Sequence, residues 1–263
     1  MLIDTHCHLY QIDDVDSAVR RAAENGVRRI VVVTEDLASM RKAMEMKRRS
    51  DGLLAGLGLH PALVNRMPQE EVAAGLDFIR RHLSEADLLG EAGLDFKVLE
   101  RPEDEAFQRS ILCQQFDMAR QARRPVNLHS RRALRETLEE AIRFHRETGL
   151  NAQMHWFTQS KKLVRKACEE GIYISVGPSV LDRPDVREVV KAIAEDLLLL
   201  ETDSPVPFGG QRSEPRWVRR VAQAVSETRG LDFETTVGRT AENFERFLGR
   251  GADRPGTDFG GGG

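Results

Sequence analysis

His6, His8, Glu91, His129, His155 and Asp203 carry metal-binding or acid–base chemistry, and each stands at the end of a short apolar run. The first two lie in Asp4-Thr5-His6-Cys7-His8. In a strand, alternate side chains share a face, which puts Asp4, His6 and His8 on one side and Thr5 and Cys7 on the other. Imidazoles at i and i+2 can then take one ion. Glu91, in Gly90-Glu91-Ala92-Gly93-Leu94-Asp95, follows Leu88-Leu89. A carboxylate buried there is either paired with a neighbouring Arg or Lys or bound to metal, where it can bridge two ions. Asp95 shares its parity if the strand continues. His129 closes Pro125–Leu128, His155 closes Ala152–Met154, and Asp203 follows the core run Leu197–Leu200. Each of these residues also reads as a cap or turn residue; one shared site accounts for all of them together. Four imidazoles and two carboxylates exceed what one ion takes from a protein and suit two adjacent divalent ions. By ligand chemistry the mixture favours Zn, Mn, Fe or Co over Mg. Such a pair activates water and clamps attacking and leaving oxygens, the chemistry of hydrolysis.

Other histidines differ in setting. His60, in Gly58-Leu59-His60-Pro61, follows a strand; it is a candidate for substrate contact or proton transfer, or it shapes its loop. His82 and His145 lie in predicted helices among charges and are expected at the surface.

The elements that must position these residues alternate. Short apolar runs predict strands from Ile3 and over Arg29–Val33, Gly52–Leu59, Asp87–Gly93, Pro125–His129, Asn151–His155, Ile172–Val176 and Leu197–Thr202. Amphipathic spacing predicts helices over Val15–Asn25, Leu37–Arg49, Glu70–Ser84, Glu103–Ala122, Ala133–Thr148, Ser160–Glu170, Val186–Glu195, Pro215–Thr228 and Phe233–Phe247. Eight strands separated by helices predict an α/β fold, a (β/α)8 TIM-type barrel, for which 263 residues suffice. The rival, a doubly wound open sheet, would gather its polar residues at one switch point. Here they are spread over the whole chain, at the carboxyl ends of strands where barrels place their sites. Residues 1–249 are expected to form the one domain and the Gly-rich 250–263 a disordered tail.

Composition narrows the partners. The formal charge of −3 is no general nucleic-acid-binding field. Of the arginine pairs, only Arg131-Arg132 falls near the predicted mouth. Three scattered cysteines without a CxxC argue against a disulfide framework or thiolate zinc site. No run approaches a membrane span, and the first residues lack a secretory signal, so a cytoplasmic location and no membrane partner are expected. Oligomeric state is not written in the sequence.

The segments DTHCHL, GLHP, GEAGLDF, RPVNLHSRRA, HWFTQS and ETDSP together resemble the TatD family of metal-dependent deoxyribonucleases, within the amidohydrolase-like barrels. They occur in family order across nearly the whole barrel. The resemblance implies that His6, His8, Glu91 and Asp203 surround one ion, and Glu91, His129 and His155 the second. It also implies that Asp203 orients or deprotonates the attacking water, and that His60 and Arg131 contact substrate phosphate. The metal is left among Mg, Mn and Zn. Three mouth segments depart from the family: Gln159 where Gly is common, Val206-Pro207-Phe208-Gly209-Gly210, and Arg212-Ser213-Glu214-Pro215.

The resulting expectation is a metal-dependent hydrolase cleaving DNA phosphodiesters with metal-activated water, including from a 3′ end. The alternative is an amide or ester hydrolase such as an aminoacyl-tRNA deacylase. A non-enzymatic metal-binding protein fits less well, because purely structural sites are usually closed.

Overall fold

A computed structural model describes residues 1–250. The strands of its main sheet are β1 (Leu2–Cys7), β2 (Val27–Val33), β3 (Leu53–Leu57), β4 (Leu88–Asp95), β5 (Val126–Arg131), β6 (Ala152–Met154), β7 (Tyr173–Val176) and β8 (Leu198–Leu200). They pair in sequence order, every neighbour parallel. The last segment returns to the first: Asp203 N–H donates to His6 O at 2.9 Å and His8 N–H to Ser204 O at 2.6 Å. The sheet is therefore a nearly closed (β/α)8 barrel.

Helices fill the connections: α1 (Val15–Glu24), α2 (Leu37–Arg49), α3 (Pro61–Val64), α4 (Gln69–His82), α5 (Asp104–Ala122), α6 (Leu134–Thr148), α7 (Lys161–Glu169), α8 (Pro184–Val190), α9 (Val218–Arg229) and α10 (Phe233–Phe247). Their starts follow capping chemistry. Asp14, Asp36, Ser160 and Asp232 each accept a backbone N–H of the first turn. Helix α3 is too short for a periodic signal. Helix α8 was expected to reach Glu195 and stops at Val190. Arg229 reaches over from α9 and donates to the carbonyls of Val190 (2.8 Å) and Ile193, at and just past the helix end.

Both faces of the strands are buried except at Arg28 and Arg29 of β2 and at the carboxyl end of β5, which is why the strands read as mostly apolar runs. In β2, Ile30 and Val32 face the helical layer, while Val31 and Val33 face the barrel axis. The axial cluster also holds Ile3, Leu54, Leu88, Tyr173 and Leu199, and α10 closes it with Phe244 and Phe247. Asn151 and Asn243 fix α10 at the amino ends of β6 and β8 through its last-turn carbonyls and those of Glu195 and Leu198. The apolar plug thus sits at one end of the barrel, and the polar strand ends sit at the other. Arg250 is tied to the barrel by a 2.7 Å ion pair with Asp87; the rest of the expected tail lies outside the described residues.

Truncating Phe244 to Ala should cost about 3–5 kcal/mol, lowering Tm by about 10 °C. Metal content of the folded protein should not change, since the plug lies at the opposite end from the site. Thermal denaturation with metal analysis of the soluble fraction checks both.

Candidate metal centre

Each sequence-predicted ligand arrives at the same mouth on a different strand end. His6 and His8 leave β1, Glu91 lies in β4, His129 in β5, His155 follows β6 and Asp203 follows β8. His60, after β3, joins them as the cap of α3. Strand β5 does continue to Arg131, opposite Asp95 of β4, so Arg131 shares the face of His129. The alternation expected for β1 is corrected: Thr5 does not point away from the site side. Its hydroxyl accepts from Gln153 at 3.1 Å inside the barrel. The slip falls where the β1–β2 register is irregular, between Asp4 and Cys7. Asp4, expected beside His6, instead accepts from the Thr202 backbone at 2.9 Å and its hydroxyl at 2.5 Å, fastening β1 to the end of β8. His82 and His145 are half-buried rather than exposed, at the carboxyl ends of α4 and α6, away from the mouth.

Glu91 is the common neighbour. Its Oε2 lies 3.4 Å from His6 Nε2 and 3.3 Å from His8 Nε2. The same two nitrogens stand 3.6 and 3.4 Å from Asp203 Oδ1. Its Oε1 lies 2.8 Å from His129 Nδ1 and 3.0 Å from His155 Nε2, and those nitrogens are 3.4 Å apart. Gly93 makes this closeness possible: its φ is +141°, and a Cβ there would collide with the His129 carbonyl oxygen.

The far nitrogen of each imidazole decides what the near one can do. His6 Nδ1 is 2.9 Å from Asn127 Oδ1, whose amide nitrogen donates to Thr5 O at 3.2 Å, so His6 Nδ1 carries the proton. His8 Nδ1 is 3.1 Å from the Tyr10 hydroxyl, which donates to Glu35 Oε2 at 2.7 Å. Burial and Glu35 push the Tyr10 phenol up, keeping it a donor there and an acceptor for His8. His129 Nε2 faces Asp95 Oδ2 at 3.4 Å, and His155 Nδ1 faces Glu201 Oε1 at 3.5 Å. His6 and His8 thus each have an acceptor behind them, as ligating histidines do, whereas His129 Nε2 and His155 Nδ1 make no hydrogen bond at those distances. The inward nitrogens of all four face the carboxylates, and a cation bound there would displace the protons they carry. His60 is wired the other way. Its Nδ1 accepts from Ala62 N–H at 3.0 Å, so Nε2 carries the proton and presents it 3.4 Å from Glu91. Burial lowers its pKa, keeping the ring neutral. Although His60, Glu91 and His129 lie close enough to hold an ion, His60 is a donor in this wiring rather than a ligand.

The charges ask for a cation. Burial works to raise Glu91, but His60, His6, His155 and His129 outweigh it and hold the carboxyl well below its ordinary range. Asp203 is likewise lowered against its burial by His8, His6 and His155. Burial would keep His8 neutral, yet Asp203 and Glu91 raise it to about 10, and His155 and His129 rise as well. His6 Nε2 and Glu91 Oε2 are buried with no hydrogen-bond partner among the described residues. A tetrahedral ion with bonds of about 2.0–2.1 Å has ligand–ligand edges of about 3.4 Å, close to the spacing found. Donor type, spacing and charge all fit divalent metal. Asp95, lowered against its burial by His129 and Arg131, also receives Arg131 Nε at 3.0 Å.

Of the partners behind the ligands, two had a sequence signal: Asn127 precedes His129 by two and Glu201 precedes Asp203 by two. Tyr10 and Glu35 had none, because a loop packing brings them together.

Metal uptake should release protons, since the site's imidazoles must shed theirs. With His8 raised above 6.5 to about 10, its contribution to the metal-free fold is full below 6.5 and fades as pH rises through 10. Apparent metal affinity should therefore climb from pH 7 to 9 while metal-free Tm falls. Calorimetry in buffers of different ionisation enthalpy reads the protons, and unchanged metal affinity across that range would contradict the wiring.

Comparison with known proteins places this geometry. A family model described as TatD related DNase matches residues 3–249. The chain is 34% identical over 260 residues to the uncharacterized metal-dependent hydrolase YabD of Bacillus subtilis, covering 94% of this chain and 99% of that protein. It is 29% identical over 259 residues to the deoxyribonuclease TATDN3 of Homo sapiens, covering 92% of each. Among solved structures, YjjV, a TatD homolog from Escherichia coli, superposes with a TM-score of 0.83 at 25% identity over 94% of this chain and 97% of that one. The chain belongs to the TatD-related family of metal-dependent hydrolases.

Proposed function

We propose that this site hydrolyses DNA phosphodiesters, with two divalent cations among Mg, Mn and Zn. The observation that carries the proposal is the opposed wiring of the histidines. Four gather their inward nitrogens around two ionised carboxylates, where a cation would take the place of the protons they carry, and the fifth, held by the Ala62 N–H, turns an N–H into the same mouth. His6, His8, Asp203 and Glu91 Oε2 would hold one cation, and His129, His155 and Glu91 Oε1 the other, with Glu91 bridging. When bound, such cations polarise phosphoryl oxygens and lower the pKa of water.

The chain supplies the rest. Asp203, ionised and at the mouth, orients water and accepts its proton as it attacks phosphorus. His60 Nε2–H and the half-exposed Arg131 guanidinium donate to the non-bridging oxygens and offset charge that builds in the transition state. Asp95 holds both Arg131 and His129, so phosphate clamp and metal ligands keep one spacing. The family description and the human relative's name favour DNA as the substrate.

Parent protein with Mn²⁺ should degrade single-stranded DNA, and Glu91→Ala or Asp203→Ala should lower kcat/KM by about 10³-fold or more. His60→Ala and Arg131→Ala should lower kcat and kcat/KM together, by about 10²-fold or more each. Metal analysis should find about two equivalents in the parent and fewer in Glu91→Ala. Undiminished turnover in both carboxylate variants would remove the site from the chemistry. Turnover of amides, esters or aminoacyl-tRNA without DNA would assign the same residues to acyl transfer to water.

A further inference from the structure

Trp156 follows the proposed ligand His155 directly and lines the same cavity, of about 360 Å³. Its backbone is left-handed, with φ +44°. A bulky L residue rarely adopts that conformation, and it persists where the surroundings dictate it, often at functional sites. The surroundings here are specific. The Trp156 backbone N–H donates to buried Glu201 Oε1 at 2.8 Å, and its Nε1–H donates to Ser179 Oγ at 3.0 Å. The indole backs onto Gly177, where an added Cβ would stand 3.5 Å from its Cδ2. The ring is thus fixed from three sides, and its one polar hydrogen is already used. What the half-buried side chain can offer the cavity is carbon surface and π-electrons.

Val206 lines the same cavity at 39% exposure. It and Met1 are the exposed large apolar side chains among the described residues. The remaining walls are imidazole, carboxylate, guanidinium, amide and hydroxyl groups. An apolar, aromatic surface beside a phosphate-directed mouth fits the one planar, uncharged part of a nucleotide. We propose that Trp156 and Val206 form a subsite for the nucleobase adjoining the scissile phosphate. The inference rests on the phosphodiesterase reading above. Stacking accepts every base through its π-face, so the subsite gives affinity and register without sequence preference.

The chain holds two tryptophans, and Trp217 is buried, so a Trp217→Phe protein reports Trp156 fluorescence. Thymidine 5′-phosphate should quench it saturably, and 2-deoxyribose 5-phosphate should not. In steady-state assays, the parent should prefer a dinucleotide over its abasic analogue by kcat/KM. Trp156→Leu should reduce that preference by about tenfold or more, and Trp156→Phe should restore most of it. Because the readout is a ratio, a general disturbance of His155 cancels. Equal quenching by both phosphates, or an unchanged ratio in Trp156→Leu, overturns the subsite and leaves the phosphodiesterase reading intact. Quenching selective for thymidine phosphate, in a protein that cleaves no phosphodiester, supports the subsite and overturns that reading.

Discussion

One buried carboxylate sets the terms for the whole mouth. Glu91 is nearly inaccessible, yet its neighbours keep it ionised. Removing such a charge from water costs several kcal/mol unless it is compensated. Compensation needs positive charge or donors on both of its oxygens. The barrel supplies these from the ends of β1, β3, β5 and β6, from both sides of β4 and from across the barrel. The parallel arrangement is what makes this possible, because it brings every carboxyl end to one rim. The imidazoles do not cancel the charge by themselves, since protons on them repel one another across the same few ångströms. A divalent ion concentrates that charge at a point, which protons cannot do.

The stability of the fold is arranged so that this cost falls away from its main support. The axial core is apolar from Ile3 to Leu199 and sealed by Phe244 and Phe247. Above it lies a polar layer in which Gln153 donates to Thr5 and Ser175, and Ser175 to Glu201. Only then come the ligands. These side-chain hydrogen bonds link β1, β6, β7 and the end of β8 into one buried network. It passes the order of the core up to the imidazoles: Asn127 steadies His6, and Glu201 stands behind His155. The metal site is in this sense an outgrowth of barrel packing, and side-chain placement there inherits the precision of strands rather than of loops.

Much of the fold was legible because the strands are buried on both faces along most of their length and each helix on one, which leaves distinct periodicities in the chain. The ligand residues were legible for a related reason. A His or carboxylate that ends an apolar run must lie at a strand terminus, and parallel strands share that end. What could not be read was pairwise geometry. The slip between Thr5 and His6 is a register irregularity with no composition signature. The Tyr10–Glu35 support for His8 depends on how two loops pack. The donor role of His60 turns on whether one backbone N–H, that of Ala62, reaches Nδ1. No residue spacing encodes such a contact; it follows from Pro61 starting a helix directly after His60.

The wiring of His60 also bears on how the mouth divides its labour. A fifth ligating imidazole would have added affinity for metal and removed a neutral donor that stands beside Glu91. Fixing the opposite tautomer keeps His60 available to an anionic oxygen while its burial keeps it uncharged. A charged ring there would bind Glu91 as strongly as any substrate and compete with the cations for it. A neutral N–H has little hold on Glu91 once metal is bound, and is free to turn to a phosphoryl oxygen instead. The same backbone contact that makes His60 a poor ligand therefore makes it a good phosphate donor, and the chemistry of the site rests on which nitrogen of each histidine the fold leaves free.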